Sequence, residues 1–185
     1  LQSELVDNMF CACLPVGMAP GNAGIAMIAK CVDIDVMDFE KLAQFAKDNL
    51  GDDGLTIVGH DNPLAAGIVD YFQAQGLLIL GPTKRAALIE SSKVFCKNSL
   101  TTIRVPTAPY QVFAFPESAK KYVREHAPPY VIKRDRLARG KGVVVAQSIE
   151  EADSAINSFL SGENASKLIL IEEFMREECK KLFHK

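Results

Sequence analysis

The residues best suited to chemistry lie in the segment 130–146, YVIKRDRLARGKGVVVA. An apolar run ends at Lys133, a basic loop follows, and Gly140-Lys141-Gly142 leads into a second apolar run. Glycines let a backbone approach a phosphate closely, and ammonium groups neutralise its charge. The spacing is not that of a P-loop, and a strand rather than a helix follows the glycines, which argues against a Walker site. The pattern predicts a β-hairpin whose loop folds over phosphates. The competing reading is a solvated hairpin tip with basic residues. Taken alone, Lys133 also fits a side chain snorkelling from the edge of a core. Lys93 lies in a helix start that follows Gly81-Pro82-Thr83, and alone it reads as a solvated helix lysine.

These groups need elements to position them. Residues 36–50 place Phe39, Leu42, Ala43 and Ala46 at helical spacing, with Glu40, Lys41, Lys47 and Asp48 elsewhere. Residues 55–59 carry a short buried-strand signal, 62–75 a helix, and 77–80 a strand closed by Gly81-Pro82. Strand, helix, strand with short connections predicts a parallel sheet covered by helices. Beyond Gly81 the texture changes. Residues 84–100 read as helix in two pieces and 101–109 as a linker. Then come a strand (110–113), a helix (116–126), a strand (130–133), the loop 134–142 and a strand (143–146). A helix (149–160) and a strand (168–172) complete the pattern. Ser148 followed by Glu151 fits a capping box for the last helix. A boundary falls near residues 81–105, and the sequence has neither internal repeats nor low-complexity tracts.

The chain has 185 residues, 48% apolar and 24% charged, enough for a sizeable core in one ordinary domain or two small ones. Its formal net charge of −2 argues against nucleic acid or an anionic membrane as the main partner. Five cysteines, an odd number without a disulfide-like framework, read as reduced thiols. Cys11 and Cys13 are spaced for neither a zinc ribbon nor a redox motif. The apolar stretch 9–19 is too short to span a bilayer and follows acidic rather than basic residues. The expectation is a soluble, cytoplasmic protein.

Several segments taken in order carry a family resemblance. They are PGNAG (20–24), IVGHDNPL (57–64), GPTKRAA (81–87), IESSKVF (89–95), VPTA (105–108), VIK (131–133), GKGVVVA (140–146) and IEEF (171–174). Over residues 19–175 the chain resembles the phosphoribosylamine–glycine ligase family (glycinamide ribonucleotide synthetase) of the ATP-grasp superfamily. The PGNAG and GPT segments weaken a biotin carboxylase-like alternative. The lack of Gly-x-Gly-x-x-Gly after an early strand weakens a dinucleotide-dependent oxidoreductase. The resemblance implies an α/β fold: a Rossmann-like, parallel-sheet N-terminal domain over 1–82, linker and helices over 83–105, and a partial ATP-grasp domain over 106–185. It implies ATP as cosubstrate and glycine and 5-phosphoribosylamine as small-molecule substrates. The glycine carboxylate is phosphorylated, and the amine then attacks the acyl phosphate. By the same resemblance Lys93 and Lys133 contact ATP phosphates, and Gly140, Lys141 and Gly142 form the mobile loop over the nucleotide. Glu172, Glu173 and Phe174 belong to the hinge strand at the adenine edge. Gly21, Asn22 and Asp61 lie on the phosphoribosylamine side, Asp61 standing where the family usually has Glu.

Four departures from the family pattern set further expectations. The opening Gly-x-Gly-Gly-Arg-Glu-His segment that holds the ribose phosphate is missing. Arg134, Arg136 and Arg139 replace small residues, so Arg136 at a glycine position is strained if its φ must be positive, or the side chains fill space the nucleotide requires. Extra phosphate affinity from three guanidiniums is the opposite expectation. Cys179 stands where the family has a ribose-binding Glu, and a thiol cannot accept two hydroxyl hydrogen bonds. Finally, the chain stops at Lys185, before the acidic and Asn magnesium ligands, so Mg, expected for the family, has no ligands here. The surrounding glutamates read as hinge and solvated surface. These departures predict no glycine- and phosphoribosylamine-dependent ATP hydrolysis by the chain alone. They also predict an exposed apolar face on the hinge strand, open to self-association or a partner chain. The rival from another class is a non-catalytic nucleotide- or anion-binding module.

Overall fold

The computed structural model describes residues 6–12, 23–138, 140–161 and 165–175. In chain order its elements are β1 (Phe10–Ala12), α1 (Ala23–Ala26), β2 (Lys30–Val32), α2 (Phe39–Asn49), β3 (Thr56–Ile57), α3 (Asp61–Ala66), α4 (Ile68–Ala74) and β4 (Ile79–Leu80). Then follow α5 (Lys84–Ser91), α6 (Lys93–Thr102), β5 (Tyr110–Phe113), α7 (Pro116–Glu125), β6 (Tyr130–Arg134), β7 (Val143–Ala146), α8 (Ile149–Leu160) and β8 (Ile169–Glu173). The chain divides into two compact units between Ala87 and Leu88, inside α5.

In the first unit β1 pairs with β2 and β3 with β4, both parallel, as βα alternation requires. Asp38 starts α2 by accepting a hydrogen bond from the Lys41 N–H at 3.1 Å. The Lys41 ammonium, 2.8 Å from the same carboxylate, holds the Asp38 pKa below its usual value. The apolar stripe of α2 buries Ala43 and Ala46 against Ile68, Val69 and Phe72 of α4. The single helix expected over 62–75 is two helices. Gly67, at φ +102°, breaks it, and its N–H reaches back to Pro63 and Leu64 carbonyls as a C-terminal cap.

The second unit is a four-stranded antiparallel sheet of order β5-β8-β6-β7. Period-two alternation gives it two faces. One face carries Phe113, Tyr130, Ile132, Ala146, Ile169 and Ile171, packed on Ala119 and Val123 of α7 and on Ala152, Ala155, Ile156 and Phe159 of α8. Burying each large apolar side chain here contributes about 1.5–3 kcal/mol. Ser148 caps α8 by accepting the Glu151 N–H at 3.2 Å. The Glu151 carboxylate reaches back to the Gln147 N–H, one residue beyond the position a capping box predicts. By register the opposite face carries Val112, Val131, Lys133, Val143, Val145, Leu170 and Glu172.

Within β8 the apolar side chains expected to be exposed on the hinge strand are covered. Ile169, Leu170 and Ile171 are all buried, because β8 lies between β5 and β6 and α6 packs against it. Apolar exposure falls on Phe174 and Met175 just past β8 and on Val143 and Val145 of the edge strand β7.

Candidate functional site

The second face of the sheet holds a compact ionic cluster. Lys133, on β6, donates to Glu172 Oε2 of β8 at 2.8 Å. Lys97, on α6, approaches the same oxygen at 3.3 Å. The Lys97 ammonium also donates to Thr107 Oγ1 at 2.7 Å and to the Ala108 carbonyl at 3.2 Å, and it lies 5.5 Å from the Tyr110 ring centre. The Glu172 side chain is only 6% exposed, and its Oε1 has no hydrogen-bond partner among the described residues. A buried acceptor left without a donor costs about 1–3 kcal/mol. The side chain of Glu172, a hinge residue by the resemblance, is therefore buried in an ion pair and not solvated. Glu173 and Phe174, the next residues, are exposed.

Around this cluster the β6–β7 connection is built as a hairpin with a pinned root. The Arg134 N–H donates to the Gly142 carbonyl at 2.8 Å, and the Lys141 N–H to the Ala138 carbonyl at 2.8 Å. Gly140 turns with φ +80° and has open space around it. Gly142 is buried, and a Cβ there would lie 2.5 Å from the Ala138 Cβ, so the turn admits no side chain at that position. Lys141 is exposed at the tip. Asp135 fixes the root. Its carboxylate accepts from the Ser92 hydroxyl and the Val94 N–H, both at 3.0 Å, at the start of α6. Its own N–H donates to the Leu168 carbonyl at 3.1 Å. Lys93, next to Ser92, donates to the Arg136 carbonyl at 3.0 Å. Lys133, Lys141 and Lys93 thus all belong to this hairpin region, one near the end of β6, one at the hairpin tip and one against its loop.

Two expectations about the arginines change. Among the described residues the only non-glycine at positive φ is Arg104, so the backbone strain expected at Arg136 for a positive φ does not arise. Arg134 does not face Lys133. It alternates to the helix side, where its guanidinium lies 4.6 Å from the Phe159 ring centre and donates to the Ser158 carbonyl. Burial, and then the charge of Arg136, lowers its pKa. Arg139 lies outside the described residues, as do Gly21, Asn22 and Cys179. Asp61 belongs to the first unit, at the start of α3, where its carboxylate accepts the Asn62 N–H at 2.9 Å and lies 3.0 Å from His60 Nδ1.

Lys97 and Asp135 carry much of this geometry and were not singled out in the sequence. Lys97 stands one helical turn after Lys93, a spacing that puts both on one side of a helix. Asp135 is hidden in a basic loop, and nothing local marks it as the cap of a helix some forty residues earlier. A recess of about 390 Å³ is lined by Tyr122, His126, Pro129, Tyr130, Glu172 and Glu173, and Lys133 is not part of its lining. Among the described residues no group of three or more His, Cys, Asp or Glu side chains converges as a metal site. Both ammonium groups contact Glu172 Oε2, and no other carboxylate converges on it among the described residues, so the described donors do not fit magnesium.

Comparisons with known proteins match both units. The family model described as "Phosphoribosylglycinamide synthetase, N domain" matches residues 2–90. That described as "Phosphoribosylglycinamide synthetase, ATP-grasp (A) domain" matches residues 91–182. A curated phosphoribosylamine–glycine ligase from Pseudomonas syringae pv. tomato is 48% identical over 168 residues, covering 88% of this chain and 38% of the relative. The crystal structure of phosphoribosylamine–glycine ligase from Thermotoga maritima matches with TM-score 0.65 and 26% identity, covering 85% of this chain and 37% of that one. The biotin carboxylase domain of 2-oxoglutarate carboxylase from Hydrogenobacter thermophilus, solved with MgADP, ADP and bicarbonate, matches with TM-score 0.64 at 19% identity. It covers 82% of this chain and 36% of that chain, and this likeness concerns the fold alone. The chain spans about 38% of the length of the curated relative from Pseudomonas syringae.

Proposed function

This chain belongs to the phosphoribosylglycinamide synthetase family, and from that premise we propose that it serves the ATP-dependent joining of glycine to 5-phosphoribosylamine. In that reaction a glycine carboxylate oxygen attacks the γ-phosphorus of ATP, giving an acyl phosphate and ADP. The amine of phosphoribosylamine then attacks the carbonyl carbon, inorganic phosphate leaves, and the nitrogen loses a proton. A carboxylate is a poor acyl donor until one oxygen becomes a good leaving group. Catalysis is then positioning and charge stabilisation.

The observation that carries this reading is the cationic sheet face beside a glycine-containing hairpin. Among the described residues Lys133 donates a hydrogen bond to Glu172 alone, and an ammonium has further donors for a phosphate. Lys93 would meet a phosphate by exchanging its bond to the Arg136 carbonyl. Gly140, Lys141 and Gly142 would fold over the nucleotide, with Gly140 supplying the turn and Lys141 an exposed ammonium. Glu172, Glu173 and Phe174 would border the adenine, the last two from exposed positions. Asp61, with Gly21 and Asn22, would serve the phosphoribosylamine side.

The same reading assigns the protein to the cytoplasm, with small molecules rather than nucleic acid or membrane as partners. No described helix is long and apolar enough to cross a membrane. The exposed Val143 and Val145 are where a covering segment or second chain would lie. The alternative, a non-catalytic anion- or nucleotide-binding module, draws on Arg136, whose buried Nε has no partner among the described residues.

A chimera tests the proposal: this chain joined to the C-terminal remainder of the Pseudomonas syringae relative. ADP release that requires both glycine and phosphoribosylamine, and that Lys133→Ala abolishes, is expected. Nucleotide binding without any glycine-dependent ADP release would favour the non-catalytic module.

A further inference from the structure

We infer that Lys97 and Glu172 are positioning residues whose shared ion pair holds Lys133 in place and available to a phosphate chain, an inference that rests on the nucleotide reading above. An ammonium group has three N–H donors. Lys97 donates to Thr107 Oγ1 and the Ala108 carbonyl and pairs with Glu172 Oε2 as an ion at 3.3 Å. Lys97 is thus engaged on three sides, and its side chain is only 12% exposed. Lys133, 25% exposed, spends one donor on the same Glu172 oxygen.

Two cations therefore share one carboxylate, and the excess positive charge lies beside a Glu172 side chain that is 6% exposed. Coulombic attraction is stronger in such partly buried surroundings than in water. A lone Glu172–Lys133 pair would be neutral, and drawing Lys133 away would strand a buried carboxylate. Lys97 removes that penalty. Tied to Thr107 and Ala108, it stays on Glu172 when Lys133 turns toward a phosphate. Glu172 in turn holds Lys133 at the end of β6, next to the hairpin whose glycines admit a phosphate. Neither residue needs to touch the ligand; both act through Lys133.

The test uses the full chain with inorganic tripolyphosphate as probe, followed by calorimetry and by NMR of lysine side-chain carbons. In the unmodified protein, tripolyphosphate is expected to shift the Lys133 signal and leave the Lys97 signal in place. Lys97→Met and Glu172→Gln are each expected to weaken binding by about tenfold, a typical size for removing one member of a coupled charged pair. In the Glu172→Gln background, Lys97→Met should change affinity by less than about twofold, because its partner is already gone. Additive losses, or a Lys97 signal that moves together with that of Lys133, would overturn the inference and leave the nucleotide reading standing. Absence of saturable tripolyphosphate binding to the unmodified chain would remove that reading and this inference with it. Where a variant fails to fold, the NMR titration of the unmodified protein decides alone.

Discussion

The two faces of the four-stranded sheet come from the same strands and do opposite things. Toward α7 and α8, Ile132, Ile156 and Ile169 are fully buried, and the polar group among them, the Tyr130 hydroxyl, is satisfied by the Val123 and His126 carbonyls. On the other side, one residue along each strand, Lys133 and Glu172 form an ion pair with a shared second lysine and a carboxylate oxygen that has no partner among the described residues. The dry face is low in energy because its core is apolar and its buried Tyr130 hydroxyl is satisfied. The ionic face is held on the rigid backbone that the dry face supplies, which lets charged groups stay close without collapsing into the core. Alternation along a strand thus separates stability from chemistry at a distance of one residue.

Substitutions on the two faces should therefore separate cleanly. The largest stability effect belongs to the dry face: Ile156→Ala removes fully buried atoms and is expected to cost about 2–5 kcal/mol, read by denaturant unfolding. Tyr130→Phe leaves two carbonyl acceptors without their donor and is expected to cost about 1–3 kcal/mol in the same assay. Burial already pushes the Tyr130 phenol upward, so its ultraviolet titration should occur above that of an exposed tyrosine. Ser148→Ala removes the α8 cap and should cost about 1 kcal/mol. On the ionic face, Lys133→Met should leave the melting temperature close to that of the unmodified protein, since Glu172 retains Lys97. A Lys133→Met loss as large as that of Ile156→Ala would break the separation.

The smallest effect is a control outside the sheet. The Asp38 pKa is depressed, chiefly by its hydrogen bond to Lys41, so its contribution to stability is present above the unfolded-state pKa of an aspartate. It is lost as the pH falls through the lower, folded-state value. Asp38→Ala should flatten the acid dependence of α2 unfolding and leave the β5–β8 sheet unaffected. An acid response of the sheet that this variant also removes would contradict that assignment.

Much of the second unit was legible in the sequence, because its strands alternate and its helices have clear starts. The ranges 110–113 and 143–146 match β5 and β7, and Ser148 caps α8. The break at Gly67 was not legible, since residues 62–75 keep a helical apolar pattern through it. Only the left-handed φ of the glycine ends the first helix. Lys133 and Lys93 stood out through their neighbours in sequence. Lys97, Asp135 and the side-chain role of Glu172 did not, because each is defined by a partner far along the chain. Lys133 meets Glu172 through strand pairing, and Asp135 meets Ser92 through the packing of a loop on a helix. Local pattern carries no record of either pairing. The arginines after Lys133 show the same limit. Sequence presented them as one basic run, but strand alternation sends Arg134 to Phe159 and away from Lys133.

The central claim is that the Lys133 face, and not the helix-covered face or the recess lined by Tyr122 and His126, receives the nucleotide phosphates. Titrating ATP into the chain while following backbone amide signals by NMR tests it most directly. The account predicts saturable shifts at Val131, Lys133, Gly140, Lys141, Gly142 and Val143, with Ile156, Phe159 and Tyr122 unmoved. Shifts concentrated at Tyr122, His126 and Tyr130, with Lys133 and the hairpin unmoved, would contradict it.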